Sequence, residues 1–277
     1  MFVQALSDPT FVHALMACGA FALGCWILSI VTREYSWVDR LWSIVPALYV
    51  GYFAYAGGFA PRLVLLAVLT TAWGARLTFN FARKGGYAVL LGKGGGEDYR
   101  WEELRKGMSP AAFQLFNLTF IASYQHLLLF LITLPAWVAI DGGPLNVLDA
   151  LAGLGFVSLL VLETIADEQQ WRFQEDKRKR REQGLPIEVP FLSTGLFRFS
   201  RHPNFFAEQG MWWCVYLFGV AASGRWLDVS IVGPVLLTLL FQGSTAFTER
   251  ISVRRYPSYA DYQRVTSRLM PWPPRST

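Results

Sequence analysis

The strongest constraint on this chain is a succession of apolar runs, each long enough to cross a lipid bilayer. A helix needs about 20 apolar residues to span the hydrocarbon. Seven windows of that kind occur: Phe11–Val31, Leu41–Ala60, Leu63–Ala82, a long one within Ala111–Ile140, Leu145–Ala166, Phe205–Ser223 and Val229–Phe247. The second and seventh carry no charge, and the first has only His13 as an ionisable group. The third, fifth and sixth hold Arg76, Asp149 with Glu163, and Glu208. Only 16% of the residues are charged, against about 25% in soluble domains. That excludes a disordered chain, a coiled coil and a cytosolic enzyme of ordinary composition. The expected fold is an all-α integral membrane protein of seven transmembrane helices.

Lys and Arg set the expected orientation. Twenty-two of the 25 basic residues fall in the loops after the first, third and fifth windows and in the C-terminal tail. Arg76 lies within a window, leaving Arg62 and Arg225 for the opposite side. This segregation places the N-terminus outside and the C-terminus in the cytoplasm. The first apolar run is too long for a signal peptide, and no basic segment precedes it, so no cleavable leader is expected. The basic run Lys177-Arg-Lys-Arg-Arg181 reads as a cytoplasmic anchor facing anionic lipid, not as a nucleic-acid site. Cys18, Cys25 and Cys214 all fall within windows without metal-type spacing, and read as small buried or lipid-facing residues. No internal repeat is visible. One continuous domain, 1–277, is expected, with residues 1–110 on the substrate side and 111–277 carrying the later helices, loops and tail.

Ionisable groups inside spans are costly, roughly 2.5–3.5 kcal/mol each on insertion scales, so their spacing carries information. Trp73, Arg76, Asn80 and Arg83 recur at helical intervals and share one face. Glu163, Asp167 and Gln170 do the same at the end of the fifth window, and Asn204 and Glu208 form an i, i+4 pair in the sixth. Two readings are open: interhelical ion pairs, or a hydrated cavity whose bases hold phosphates and whose carboxylates and amides hold hydroxyls or an amide. In the stretch from Thr194 to Glu208, Pro203 opens a helix beside Arg198, Arg201 and His202. That is either an anion site at a helix N-terminus or an interfacial turn touching lipid phosphate. Asp39, taken bare, reads as an N-cap. Gly92-Lys-Gly-Gly-Gly-Glu-Asp98 lacks the order of a P-loop and is expected to be a flexible loop or lid.

Together these residues resemble the steroid 5-alpha-reductase C-terminal domain family, its bacterial members above all. The resemblance rests on Leu162–Phe173, Gly195–Glu208, Glu249 with Arg255–Tyr262, and Met270–Pro274, and more loosely on Asp39–Trp42 and Trp73–Leu77. It implies a seven-helix membrane enzyme of the bacterial inner membrane, binding NADPH from the cytoplasmic side. Such an enzyme transfers hydride to a carbon–carbon double bond conjugated to a ketone in a lipophilic substrate that enters from the bilayer. It implies cofactor contacts for Arg76, Asn80, Arg83, Glu163, Asp167, Gln170, Arg198, Arg201, His202, Asn204, Phe205, Glu208, Glu249, Tyr259 and Tyr262. Around the ketone it implies Asp39, Trp73 and Tyr124. Two departures stand out: Trp73 lies near a position where steroid reductases carry a catalytic Tyr, and Asp39 lies where they carry a Glu, with Val38 in place of the neighbouring Gln. A Trp cannot protonate a carbonyl, so Asp39 ranks ahead of Tyr124 as the acid. The Arg-His-Pro turn and the tail also resemble isoprenylcysteine carboxyl methyltransferases, which bind S-adenosylmethionine, and a non-catalytic lipid carrier is a third possibility. No metal site is expected.

Overall fold

A computed structural model describes residues 5–92 and 96–275. Among these residues every regular element is helical. Five helices are long and apolar enough to cross a membrane: α1 (Pro9–Thr32), α4 (Pro61–Arg83), a composite helix over Pro110–Val138, α9 (Val147–Glu182) and one over Val229–Arg255. Two of the seven expected windows depart from this pattern. The second is divided into α2 (Trp37–Trp42) and α3 (Val45–Ala56), with Pro46 in the first turn of the latter. Proline lacks an amide hydrogen and fixes φ, so a helix starts there more readily than it continues through. At about 1.5 Å per residue, α3 alone covers little more than half of the roughly 30 Å hydrocarbon. The sixth window forms α10 (Pro203–Ser223), which has the length of a span but carries Asn204, Glu208 and Gln209 and falls outside the five.

On two of the long helices, α1 and α9, much of the apolar surface faces outward. On α1, Phe11, Ala14, Cys18, Cys25 and Ser29 are buried, while Met16, Leu23, Ile27 and Val31 are exposed. On α9, Leu154, Val157, Val161 and Ile165 are exposed. Apolar surface outside and small or polar groups inside is the arrangement lipid favours. Asp8 caps α1 by accepting the Thr10 amide at 2.8 Å, and Pro9 and Pro61 open α1 and α4. The composite helix comprises α6 (Pro110–Phe116), a π-helical stretch Asn117–Tyr124, α7 (Gln125–Leu131) and α8 (Leu134–Val138). After α11 (Val232–Arg255) a short α12 (Tyr259–Val265) leads into the tail. At 36 residues, or about 54 Å, α9 outruns the hydrocarbon. The basic run expected in a loop is therefore its helical extension. Lys177 there is buried, donating to the Pro190 carbonyl at 2.5 Å and the Tyr256 hydroxyl at 3.0 Å. Arg178 and Arg180 pair with Glu175 and Asp176, so the run is only in part a lipid-facing anchor.

The chain divides into two compact units, each assembled from separate stretches of sequence. The first comprises residues 1–153 and 213–237, the second 154–212 and 238–277. In the first, Gly74 on α4 meets the junction between α2 and α3 so closely that a Cβ would lie 2.4 Å from the Ser43 carbonyl oxygen. Also there, Arg62 and Asp149 form a buried bidentate pair at 2.7 and 2.8 Å, and Arg62 donates further to the Gly143 and Pro144 carbonyls. Of the glycine-rich stretch, Lys93, Gly94 and Gly95 lie outside the described residues. The segment after it forms α5 (Tyr99–Lys106), capped by Asp98.

Candidate functional site

In the first unit the polar stripe of the third window lies on one continuous helix, α4. Trp73 and Asn80 are buried and Arg76 and Arg83 partly so, whereas Ala75, Phe79 and Ala82 face outward. Arg83 Nε donates to Asn80 Oδ1 at 3.0 Å. Tyr124 ends the π-helical stretch, its ring stacked on Phe120 at 5.2 Å. Such stretches cost helical hydrogen-bond geometry and recur at functional sites.

Asp39 is not the N-cap its position suggested. Ser36 occupies that place, and its hydroxyl accepts the Asp98 amide at 2.9 Å. Asp39 lies in the first turn of α2 and accepts a hydrogen bond from the indole nitrogen of Trp101 at 3.0 Å. Trp101 belongs to an apolar cluster with Tyr35, Val38, Phe113 and Ile121, flanked by Trp42, Met108 and Phe120. Burial beside these rings, and then repulsion from Asp98, push the Asp39 carboxyl above its ordinary 3.8; Arg100 and the Trp101 and Ser36 hydrogen bonds pull the other way. A carboxyl held partly dry is a proton donor at higher pH than one in water. Trp101 was not singled out from the sequence, because nothing local links it to a residue 62 positions earlier.

Deeper in the same unit the composite helix contributes a hydrogen-bonded chain. Gln114 Nε2 donates to the Tyr35 hydroxyl at 2.9 Å, and Asn117 Nδ2 donates to Ser29 Oγ at 2.8 Å. His126 Nε2 lies 3.6 Å from the Cys25 sulfur.

In the second unit Glu163 and Asp167 are buried on one face of α9, with Gln170 partly buried a turn further on. Glu208 is buried on α10 and accepts from the Trp212 indole at 3.0 Å. The turn before α10 is built around Gly195, whose φ of +61° is a left-handed conformation that side chains disfavour. Its neighbour Leu196 donates its amide to Gln169 Oε1 at 2.9 Å, tying the turn to α9.

Arg201 and His202 converge here, but on an anion supplied by the chain itself. Arg201 Nε and Nη2 donate to the two oxygens of Glu249 at 2.6 and 3.1 Å, and His202 Nε2 lies 3.0 Å from the same Oε1. Gln263 Nε2 completes the shell at 2.9 Å. The backbone amides of Arg201 and His202 donate to the Ser267 and Arg268 carbonyls at 2.8 and 3.2 Å. The N-terminal end of α10, read from the sequence as either an anion site or an interfacial turn touching lipid phosphate, is bonded here to the tail. Tyr262 donates its hydroxyl to the Phe197 carbonyl, and Tyr259 and Tyr262 stand edge to face at 5.4 Å, both buried. Their visible work is to hold α12 against the turn. The His202 ring stacks on Phe205, which meets Phe241 edge-on. Arg198 is exposed, while Asn204 is partly buried at the first turn of α10. Among the described residues, no group of three or more His, Cys, Asp or Glu side chains could hold a metal ion.

These features define a helical membrane protein in which the turn before α10 is locked to the C-terminal tail through one buried carboxylate. The chain belongs to the family described as "Protein of unknown function (DUF1295)", whose profile matches residues 25–266. An uncharacterized protein of Schizosaccharomyces pombe is 39% identical over 287 aligned residues, covering 96% of this chain and 80% of the relative. No solved structure matches it.

Proposed function

We propose that the protein is an NADPH-dependent membrane reductase that saturates the carbon–carbon double bond of a lipophilic enone such as a 3-oxo-Δ4-steroid. The observation that carries this reading is the burial of Glu163, Asp167 and Glu208 in one unit of a protein so poor in charge. Carboxylates are retained in apolar surroundings when they bind something polar. Together with the Asn204 amide, they suit ribose hydroxyls and a carboxamide, while Arg198 of the same unit suits a phosphate. The donor set therefore fits NADPH, which when bound would supply the hydride. The resemblance of residues 162–173, 195–208 and 249–274 to steroid 5-alpha-reductases adds support, and the family to which the chain belongs is related to membrane proteins of that kind.

Hydride arriving at the β-carbon forms a C–H bond and drives the π electrons toward the ketone, which becomes an enolate. A donor at that oxygen stabilises the charge as it develops. Asp39 is the group we assign, because its surroundings favour the neutral acid that can give a hydrogen bond or a proton. Tyr124 is the second candidate, and Trp73 shapes the pocket without donating a proton. Protonation of the α-carbon then completes the saturated ketone.

The same reading includes seven crossings. The second window, Leu41–Ala60, covers about 30 Å if traversed as one helix, and α10 is long enough to be the other. With the basic residues inside, the N-terminus is outside, the tail cytoplasmic and the cofactor approached from the cytoplasm. The membrane is a bacterial inner membrane by likeness to bacterial reductases, although the relative at 39% identity is a yeast protein.

Titration of the detergent-purified protein tests the reading. NADPH should bind more tightly than S-adenosylmethionine. Asn204→Ala and Asp167→Ala should weaken that binding, while Asp39→Ala should mainly lower turnover. The reverse order of affinities would make the protein a methyltransferase. A thermal midpoint moved by neither ligand would leave a lipid carrier.

A further inference from the structure

A cavity of about 430 Å³ lies within the second unit, between the turn that precedes α10 and the folded-back tail. That volume is in the range of small-molecule sites. Four of its lining residues are arginines, Arg201, Arg264, Arg268 and Arg275, and none is acidic; Ser267 and Trp272 also line it. The acids outside the wall cancel only two of these charges. Arg201 is held by Glu249, and Arg264 pairs with the exposed Asp261. Arg268 has a neutral partner, Gln242 Oε1 at 2.5 Å, and Arg275 is exposed, with no carboxylate side chain paired to it among the described residues.

The backbone brings these cations together by design of the tail, not by chance proximity of surface side chains. The Trp272 amide donates to the Phe199 carbonyl and the Arg275 amide to the Val265 carbonyl, both at 2.9 Å. The second bond closes the tail on itself, returning Arg275 to the end of α12 near Arg264. Holding like charges around one cavity is unfavourable without an anion, and guanidinium forks match phosphate oxygens in pairs.

We propose that this cavity is a binding site for a phosphomonoester dianion, with Arg268 and Arg275 as its principal ligands. The phosphate is carried either by a nucleotide or by a lipid headgroup. Trp272 is two-thirds exposed at the rim and offers a flat face to an adenine in the first case. The site does not depend on the reductase reading, since it requires neither a nicotinamide nor the residues assigned to hold one.

The full-length protein in detergent is titrated with 2′-AMP, with a short-chain phosphatidylinositol monophosphate, and with short-chain phosphatidylcholine as the uncharged-headgroup control. Binding of either phosphomonoester, weakened about tenfold or more in Arg268→Gln/Arg275→Gln and partly restored by lysine at both positions, is the expected result. Preference for 2′-AMP identifies a nucleotide phosphate, and preference for the inositol lipid identifies a headgroup. Arg275→Gln alone guards against misfolding, because that side chain is exposed and makes no hydrogen bond among the described residues. The proposal is overturned if neither phosphomonoester binds, or if both bind the double variant as tightly as the native protein. NADPH titrated in parallel separates the two readings: binding lost in Arg268→Gln/Arg275→Gln yet unchanged in Asn204→Ala and Asp167→Ala removes the nicotinamide site and leaves this one.

Discussion

Arg201 and Glu249 meet through two parallel hydrogen bonds, and both side chains are less than a tenth exposed. Removing one partner of such a pair strands a buried charge, a loss of about 3–5 kcal/mol. Glu249→Ala and Arg201→Ala should therefore each lower the thermal midpoint sharply. The pair replaced together by Met and Leu should recover little, since the Gln263 and Thr266 carbonyls lose their Arg201 donor as well. Equal midpoints for the single variants and the native protein would contradict the pairing.

The Arg62–Asp149 pair makes a parallel case, because Arg62 likewise satisfies two carbonyls. Asp149→Asn should cost about 3 kcal/mol or more in unfolding free energy. Here a double replacement by apolar residues should recover little, since the Gly143 and Pro144 carbonyls lose their donor as well. Denaturation in mixed micelles, followed by Trp fluorescence, measures the difference.

Asp39 predicts the sign of a pH dependence. Its folded-state pKa is raised from 3.8, so the folded protein binds the proton more tightly than the unfolded chain. The stability this confers is complete below 3.8 and is lost as pH rises through the folded value. Asp39→Asn should flatten that falling limb in a plot of thermal midpoint against pH. Trp101→Phe removes a hydrogen bond to the carboxylate, and should move the limb to higher pH. A limb unchanged in both variants would assign it to another group.

Gly74→Ala tests the packing of α4 against the junction between α2 and α3. The added methyl would stand 2.4 Å from a backbone oxygen, which cannot rotate away as a side chain can. Overpacking of this kind costs about 1–3 kcal/mol. The midpoint should fall although alanine has the higher helix propensity, and Gly153→Ala, whose Cβ meets only an ordinary contact, should be nearly neutral.

Much of the helical framework was legible in the runs of apolar residues. The exceptions have local causes. Pro46 turned one expected helix into two, and the basic run after the fifth window continued as helix because nothing between Ala166 and Glu182 breaks it. The stripe on α4 was legible for the same reason as the helix, since a period of 3.6 fixes which side chains share a face. The function of Arg201 and His202 was less so. Their types announced an anion, but the anion proved to be a carboxylate 48 positions away.

The helical class, the apolar windows from which the long helices form and the positions where polar groups interrupt them were readable in the order of residues. Those properties depend on composition and on periodicity within a few turns. Only the tertiary structure decided the partners: Trp101 for Asp39, Asp149 for Arg62, Glu249 for Arg201 and His202, and the arginines gathered by the tail. A charge or carboxyl taken out of water must be matched by some group in space. Helical spacing says that a match is needed, and packing across tens of residues chooses which group provides it.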